Sequence, residues 1–211
     1  INMPGGLRRD IGADSIKILL GAALKIKKDI RTAEDMLYNS TTFLERVETT
    51  GRLFTKTARS LGVVGVGARG SNISCDARKA FNYEIYDKLT FSEITHTGLD
   101  VYARMCVRFN EIKESAAIIE QAAAMLKPGP VVVNIGKPPA FKPAFGITEA
   151  PKGEHTHFLI FDDESKIYRY HLRSASYANW LALTFAVKGD IVPDFPVINK
   201  SFNLCYCSCD K

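Results

Sequence analysis

Apolar residues recur at Ile16, Leu19, Leu20, Ala23, Ile26, Ile30, Ala33 and Leu37, the spacing of one helix face. Asp14 or Ser15 stands at the start, where a short side-chain oxygen accepts from the orphan N–H groups of a first turn. Lys25, Lys27 and Lys28 fall largely between the apolar positions and read as a solvated basic face. A second short helix is predicted from Thr42 to about Glu48. The clearest helix runs over 99–127, where Val101, Met105, Ile112, Ala116, Ile119, Ala123 and Leu126 share one stripe. Asp100 sits where the helix dipole favours an anion, and Pro128-Gly129-Pro130 ends the run. Arg104, Arg108 and Glu111 lie on one side of this helix. As surface ion pairs they add little stability. As functional groups they brace another helix or a buried polar site.

Past residue 130 the period changes. VVVNIG (131–136) reads as a strand, followed by a loop with Pro138, Pro139 and Pro143. HTHFLIFDD (155–163) and IYRYHLRS (167–174) alternate around Asp163-Glu164-Ser165-Lys166, which is a hairpin pattern. Asn179 to Val187 reads as a short helix. The expected fold class is mainly α with a small antiparallel β-sheet. It divides into a helical region 1–130, a small β region 131–178, and a region 179–211 carrying a short helix and a cysteine tail.

Composition narrows the classes. A chain of 211 residues with 46% hydrophobic and 24% charged residues is ordinary for a globular protein and does not read as disordered. The net charge of +5 comes without a dense basic run interleaved with aromatics, so nucleic acid is not an expected partner. No apolar run approaches the roughly 20 residues of a membrane-spanning helix. The opening INMPGGLRRD lacks the apolar stretch of a signal peptide, and with Ile1 in place of Met the chain is expected to be a fragment or a processed product. Five cysteines, with Cys75 and Cys106 isolated, do not form a disulfide framework; a reducing, cytoplasmic setting is expected.

Three stretches invite chemistry. In LGVVGVGARGSNISC (61–75), Gly62, Gly65, Gly67 and Gly70 break helical structure. No Gly-Lys-Ser/Thr follows as a phosphate loop needs, so the stretch reads as a tight loop bringing backbone and Arg69 close to another element. His155 and His157 alternate but lack a third ligand nearby, and read as hairpin residues. The tail NLCYCSCDK places Cys205, Cys207 and Cys209 at alternate positions, which in an extended segment share one face. Thiolates there would bind a soft metal; cysteine is also simply a small, buriable residue.

Several segments, in one order along the whole chain, carry a resemblance. They are NMPGGLRRDI, then ARGSNISCDARKAFNYEIYDKL with Arg69, Gly70, Ser71, Asp76, Arg78 and Tyr83, then DVYARMCVRFNEIKESAAIIEQ, then EAPKGEHTHFLIFDDESKIYRYHLRSASYANW. Together they resemble the C-terminal half of the large subunit shared by respiratory complex I and the energy-converting nickel–iron hydrogenases. The resemblance implies a hydrogenase-large-subunit-like helical bundle with a small sheet. It implies a membrane-associated, ion-pumping complex of the NADH dehydrogenase type, with the subunit peripheral on the membrane. Implied partners are a small iron–sulfur subunit, membrane ion-pump subunits and the N-terminal half of the same family; the implied acceptor is a quinone.

Lys152 matches the family's cationic position over the site, and Arg69, Asp76 and Arg78 match its pocket wall. In hydrogenases the tail reads S-x-D-P-C-x-x-C and holds nickel. Here Ser201, Asn203, Leu204, Cys205 and Ser208 occupy those positions, with Cys207 and Cys209 as the neighbouring thiols and Asp210-Lys211 matching the complex I ending. A hydroxyl is a poor nickel ligand beside thiolates, so the expected reading is quinone-linked. A hydrogenase centre through Cys205 with Cys207 or Cys209, and a non-catalytic assembly subunit with a decayed site, are the alternatives.

Overall fold

The computed structural model describes residues 2–209, so the Asp210-Lys211 ending lies outside the described residues. A short antiparallel ribbon, β1 (Asn2–Met3) and β2 (Gly6–Leu7), opens the chain. The strand expected at 131–136 is instead one isolated bridge, Gly6 to Val132, flanked by Leu7 N→Val131 O (2.8 Å) and Val133 N→Gly5 O (2.9 Å). Helix α1 (Ala13–Tyr38) starts one residue before the expected caps; Gly12 is its N-cap, and no side chain caps it. Helix α2 (Thr41–Val47) is capped by Ser40 Oγ, which accepts from Phe43 N at 3.4 Å.

The glycine stretch is not helix-free. Helix α3 (Thr55–Ser60) ends just before it, α4 (Gly65–Arg69) lies inside it, and α5 (Ala77–Ala80) follows. Helix α4 is too short to rest on propensity and is held by tertiary contacts. The long helix α6 (Val101–Met125) begins at Asp100, whose carboxylate accepts from Ala103 N at 2.8 Å and from Thr49 N at 2.8 Å. It runs antiparallel to α1, with Lys27–Glu120 (2.7 Å) and Lys113–Glu34 (2.6 Å) spanning the pair. Much of α1 stays uncovered, including Ile18, Leu24 and Met36.

The sheet has three strands, not two. Strand β3 (Pro143–Ala150) occupies what the sequence marks as the proline loop, and pairs antiparallel with β4 (Gly153–Phe161), which pairs with β5 (Ile167–Arg173). Pro143 is the first residue of an edge strand, where its missing N–H is tolerated. The expected hairpin joins β4 and β5, with Asp162 Oδ1 accepting from Glu164 N (3.0 Å) and Lys166 N (2.8 Å). Helices α7 (Ala175–Ala186) and α8 (Phe195–Phe202) complete the chain. The core lies where α2, α3, α4, α7, α8 and the start of α6 meet, around Leu53, Val63, Val101, Leu183, Ile198 and Phe202. Each such large side chain contributes roughly 1.5–3 kcal/mol by burial.

Candidate functional site

Two backbones touch at the centre of the site. Ala150 pairs with Gly153 across the β3–β4 turn, leaving Pro151-Lys152 as its tip. Gly65 (φ +63°) lies directly against that turn: a Cβ on it would stand 2.3 Å from Lys152 O and 2.4 Å from Gly153 Cα. Only glycine allows this approach at that dihedral. Asn179 of α7 locks the neighbouring peptide twice, accepting from Val64 N at 2.9 Å and donating to Val64 O at 3.0 Å. The glycine stretch thus brings its backbone and Arg69 close to another element, as expected.

Arg69, at the end of α4, is buried. Its Nη1 donates to Cys75 O at 2.7 Å and to Glu149 at 2.9 Å, and its Nε donates to Glu111. Burial opposes its charge, but Glu111 and Glu149 outweigh burial and raise its pKa. The two glutamates share that one cation, so burial dominates for each and raises both carboxyl pKa values. Asp76 caps α5 and takes a fork from Arg78, Nε at 2.9 Å and Nη2 at 2.6 Å. Burial again opposes the charge, and the fork overcomes it, holding Asp76 below the ordinary carboxylate range. Arg69, Arg78, Arg108, Glu111 and Glu149 wall a cavity of about 370 Å³. Asp76 supports Arg78 from behind.

Lys152 sits half-buried at the turn tip, near enough to the tail for its charge to favour a Cys205 thiolate. The Cys205 thiol is pulled down to about 7, chiefly by the side chain and backbone N–H of Ser208, with Cys207 and Lys152 adding smaller contributions. The tail is not the extended segment expected. Asn203 is left-handed (φ +53°), and Cys207–Cys209 form a 3-10 turn, so the three thiols do not share a strand face. Ser176 Oγ accepts from Cys205 N at 3.0 Å, and Ser174 Oγ donates to Ser208 O at 2.8 Å.

A nickel–iron centre needs a converging set of thiolates. Among the described residues no three His, Cys, Asp or Glu side chains form a metal-holding group. Ser208, three residues after Cys205, carries a hydroxyl, which is a poor nickel ligand beside a thiolate. These residues alone therefore do not fit that centre. His155 and His157 are hairpin residues, with His157 Nδ1 2.8 Å from Tyr170 OH.

The sequence reading did not single out Glu149, Ser174, Ser176 or Asn179. Glu149 was visible as the first residue of EAPKGE; the other three carry no periodicity signal. Arg104, Arg108 and Glu111 are buried or half-buried and do brace another helix and line a polar site, as the functional alternative has it.

The model of one family, the respiratory-chain NADH dehydrogenase 49 Kd subunit, matches residues 1–141 and 134–211, which together span the chain. The chain belongs to this family. Family relatives include NADH-quinone oxidoreductase subunit 4 of Thermus thermophilus, 30% identical over 94% of this chain and 55% of that protein. Formate hydrogenlyase subunit 5 of Escherichia coli is 30% identical over 100% of this chain and 37% of that protein. A solved chain from the membrane-bound sulfane sulfur reductase, an archaeal respiratory membrane complex, superposes with a TM-score of 0.91 at 29% identity, covering 99% of this chain and 59% of that one. The chain therefore spans only about 37–59% of the length of these relatives. The mainly helical fold with small antiparallel sheets is the family's fold. Among the described residues no helix is long and apolar enough to cross a membrane.

Proposed function

We propose that this chain carries the acceptor end of an electron path in a membrane-associated, ion-pumping redox complex. Electrons reach it from iron–sulfur clusters of a small partner subunit and pass to a quinone-like acceptor, with membrane subunits coupling the reaction to ion movement. The N-terminal half of the family fold completes the site. The observation that supports this reading is the Gly65–Gly153 contact, which holds the Pro151-Lys152 turn against the glycine loop, with Pro151 lining the Arg69–Arg78 cavity and the Lys152 charge felt at Cys205. A half-buried cation stabilises anionic charge developing on a reduced acceptor. Arg69, Asp76 and Arg78 keep the wall rigid so that Lys152 meets the acceptor at a fixed place.

A second reading is favoured by the tail. Cys205 is drawn toward its thiolate, Cys207 beside it is exposed, and the solved relative belongs to a sulfane sulfur reductase. In that reading two electrons and two protons split a sulfur–sulfur bond of the acceptor into two thiols.

The test is the native complex, purified without oxygen, analysed for nickel, iron and zinc and assayed with a quinone analogue and with polysulfide. Iron without nickel, with reoxidation by the quinone analogue, is expected. Reoxidation by polysulfide alone selects the second reading. About one nickel per chain with hydrogen-dependent dye reduction would overturn both.

A further inference from the structure

Helix α6 sends two arginines, one turn apart, to a single residue near the end of α8. Arg104 Nε donates to Ser201 Oγ at 2.8 Å, and Arg108 Nη2 donates to Ser201 O at 2.8 Å. Arg104 is fully buried, and its remaining N–H groups reach Gly51 O at 2.8 Å and Leu99 O at 3.4 Å. Its guanidinium lies 4.3 Å over the Phe202 ring. Among the described residues neither arginine forms a salt bridge; the carboxylates near Arg108 are held by Arg69.

The last turn of any helix exposes carbonyls without helical partners and the negative end of the dipole, so cations suit it. Desolvating a charge for that purpose alone is unfavourable, and a glycine cap ends a helix without it. What the arginines gain is direction. Asn203 turns the chain immediately after Ser201 and Phe202, and Cys205 follows, pinned at its amide by Ser176. Ser201 is therefore the near anchor of the tail, and the serines of α7 are the far one.

Arg108 differs from Arg104 in facing two ways. It holds the Ser201 carbonyl and also walls the charged cavity, with Glu111 and Arg69 as its charged neighbours. We infer that Arg108 is a positioning residue for the Lys152–Cys205 site, tying the ionic pairing in the cavity to the placement of the tail. The inference rests on the redox reading for what the site does, and on geometry alone for the linkage. Glu111 stands three residues beyond Arg108 on α6, within side-chain reach. Arg69 now occupies it. Released from Arg69, the Glu111 carboxylate competes with the neutral Ser201 carbonyl for Arg108, and a charge-assisted bond is roughly twice as strong as a neutral one. The tail then loses a donor at its near anchor.

The experiment is hydrogen–deuterium exchange on the tail peptide spanning 203–209, in the purified complex and without turnover. Arg69→Gln is expected to speed exchange there about tenfold. Adding Glu111→Gln removes the competitor and returns the tail to within about twofold of wild type. Equal exchange in the single and double variants overturns the inference, because only general loosening would then remain. An unchanged tail in Arg69→Gln also overturns it. Should Arg69→Gln not assemble, Arg108→Gln is expected to open the tail and Arg108→Lys to hold it; matching exchange in both refutes the linkage. Exchange is read without an acceptor, so failure of the redox reading leaves it intact, and failure of the linkage leaves acceptor reduction to be judged separately.

Discussion

Gly65→Ala is the sharpest perturbation available at this site. Two consequences add. The residue has φ +63°, which disfavours an L side chain by roughly 1–2 kcal/mol. The new Cβ would stand 2.3 Å from Lys152 O and 2.7 Å from Gly153 N, both backbone atoms that cannot rotate away. Overpacking of that kind costs about 1–3 kcal/mol, giving ~2–5 kcal/mol in total, or a fall in Tm of about 4–20 °C for a chain of this size. Gly62 separates the two effects. It has the same φ, +63°, but its Cβ would meet only Arg173 Nη2 at 3.8 Å, so Gly62→Ala carries the dihedral cost alone, roughly 1–2 kcal/mol. Gly21→Ala, in open space on α1, should stabilise by about 0.5–1 kcal/mol. Denaturant unfolding followed by the fluorescence of Trp180, the only tryptophan, reads all three variants on one signal. If Gly65→Ala proves no worse than Gly62→Ala, the close approach of loop and turn is wrong.

The carboxylates give pH signatures of opposite sign. Asp76 is held low in the folded chain, so its contribution is present above its unfolded value of about 3.9 and is lost as pH falls through the lower folded value. Asp76→Asn strands a largely buried Arg78 and should cost about 3 kcal/mol at neutral pH, with the deficit shrinking in strong acid; a deficit independent of pH would count against the pair. Glu149 is held high by burial, so its contribution is full below about pH 4.3 and is lost as pH rises through the folded value. Glu149→Gln should therefore remove a fall in stability that sets in as pH rises above about 4.3; stability curves parallel to wild type would refute the assignment.

What the sequence disclosed follows from what each signal reports. The long helix was legible because its apolar stripe repeats over several turns and Asp100 marks its start. The β4–β5 hairpin was legible because alternation persists on both sides of a polar turn. Strand β3 was hidden by its prolines: Pro138 and Pro139 precede it, and Pro143 opens it at an edge where proline is allowed. Helix α4 was hidden by glycines that serve contact rather than flexibility. Gly65 admits the β3–β4 turn, and Gly70 makes room for Arg104, whose Cγ would lie 2.6 Å from a Cβ there. Alternate spacing of the tail cysteines suggested a strand, but Asn203 in the left-handed region and a 3-10 turn re-aim them. No local period encodes such a reversal. Of the site, Arg69, Asp76 and Arg78 stood out through their motif, and the structure joins Arg69 and Arg78 at one cavity, with Asp76 paired to Arg78. Glu149 reaches the same cavity only through strand pairing, a long-range contact that spacing along the chain cannot express.

Whether Lys152 serves an acceptor at this site can be read from reoxidation kinetics. The intact complex is reduced, and its reoxidation by a quinone analogue is followed in wild type and Lys152→Met. Assembly at wild-type level is expected, with reoxidation slowed by about 10²–10³, the range for removing one preorganised charge-stabilising group. An assembled Lys152→Met complex that reoxidises at the wild-type rate would rule out an acceptor role for Lys152 and leave the chain with an assembly role.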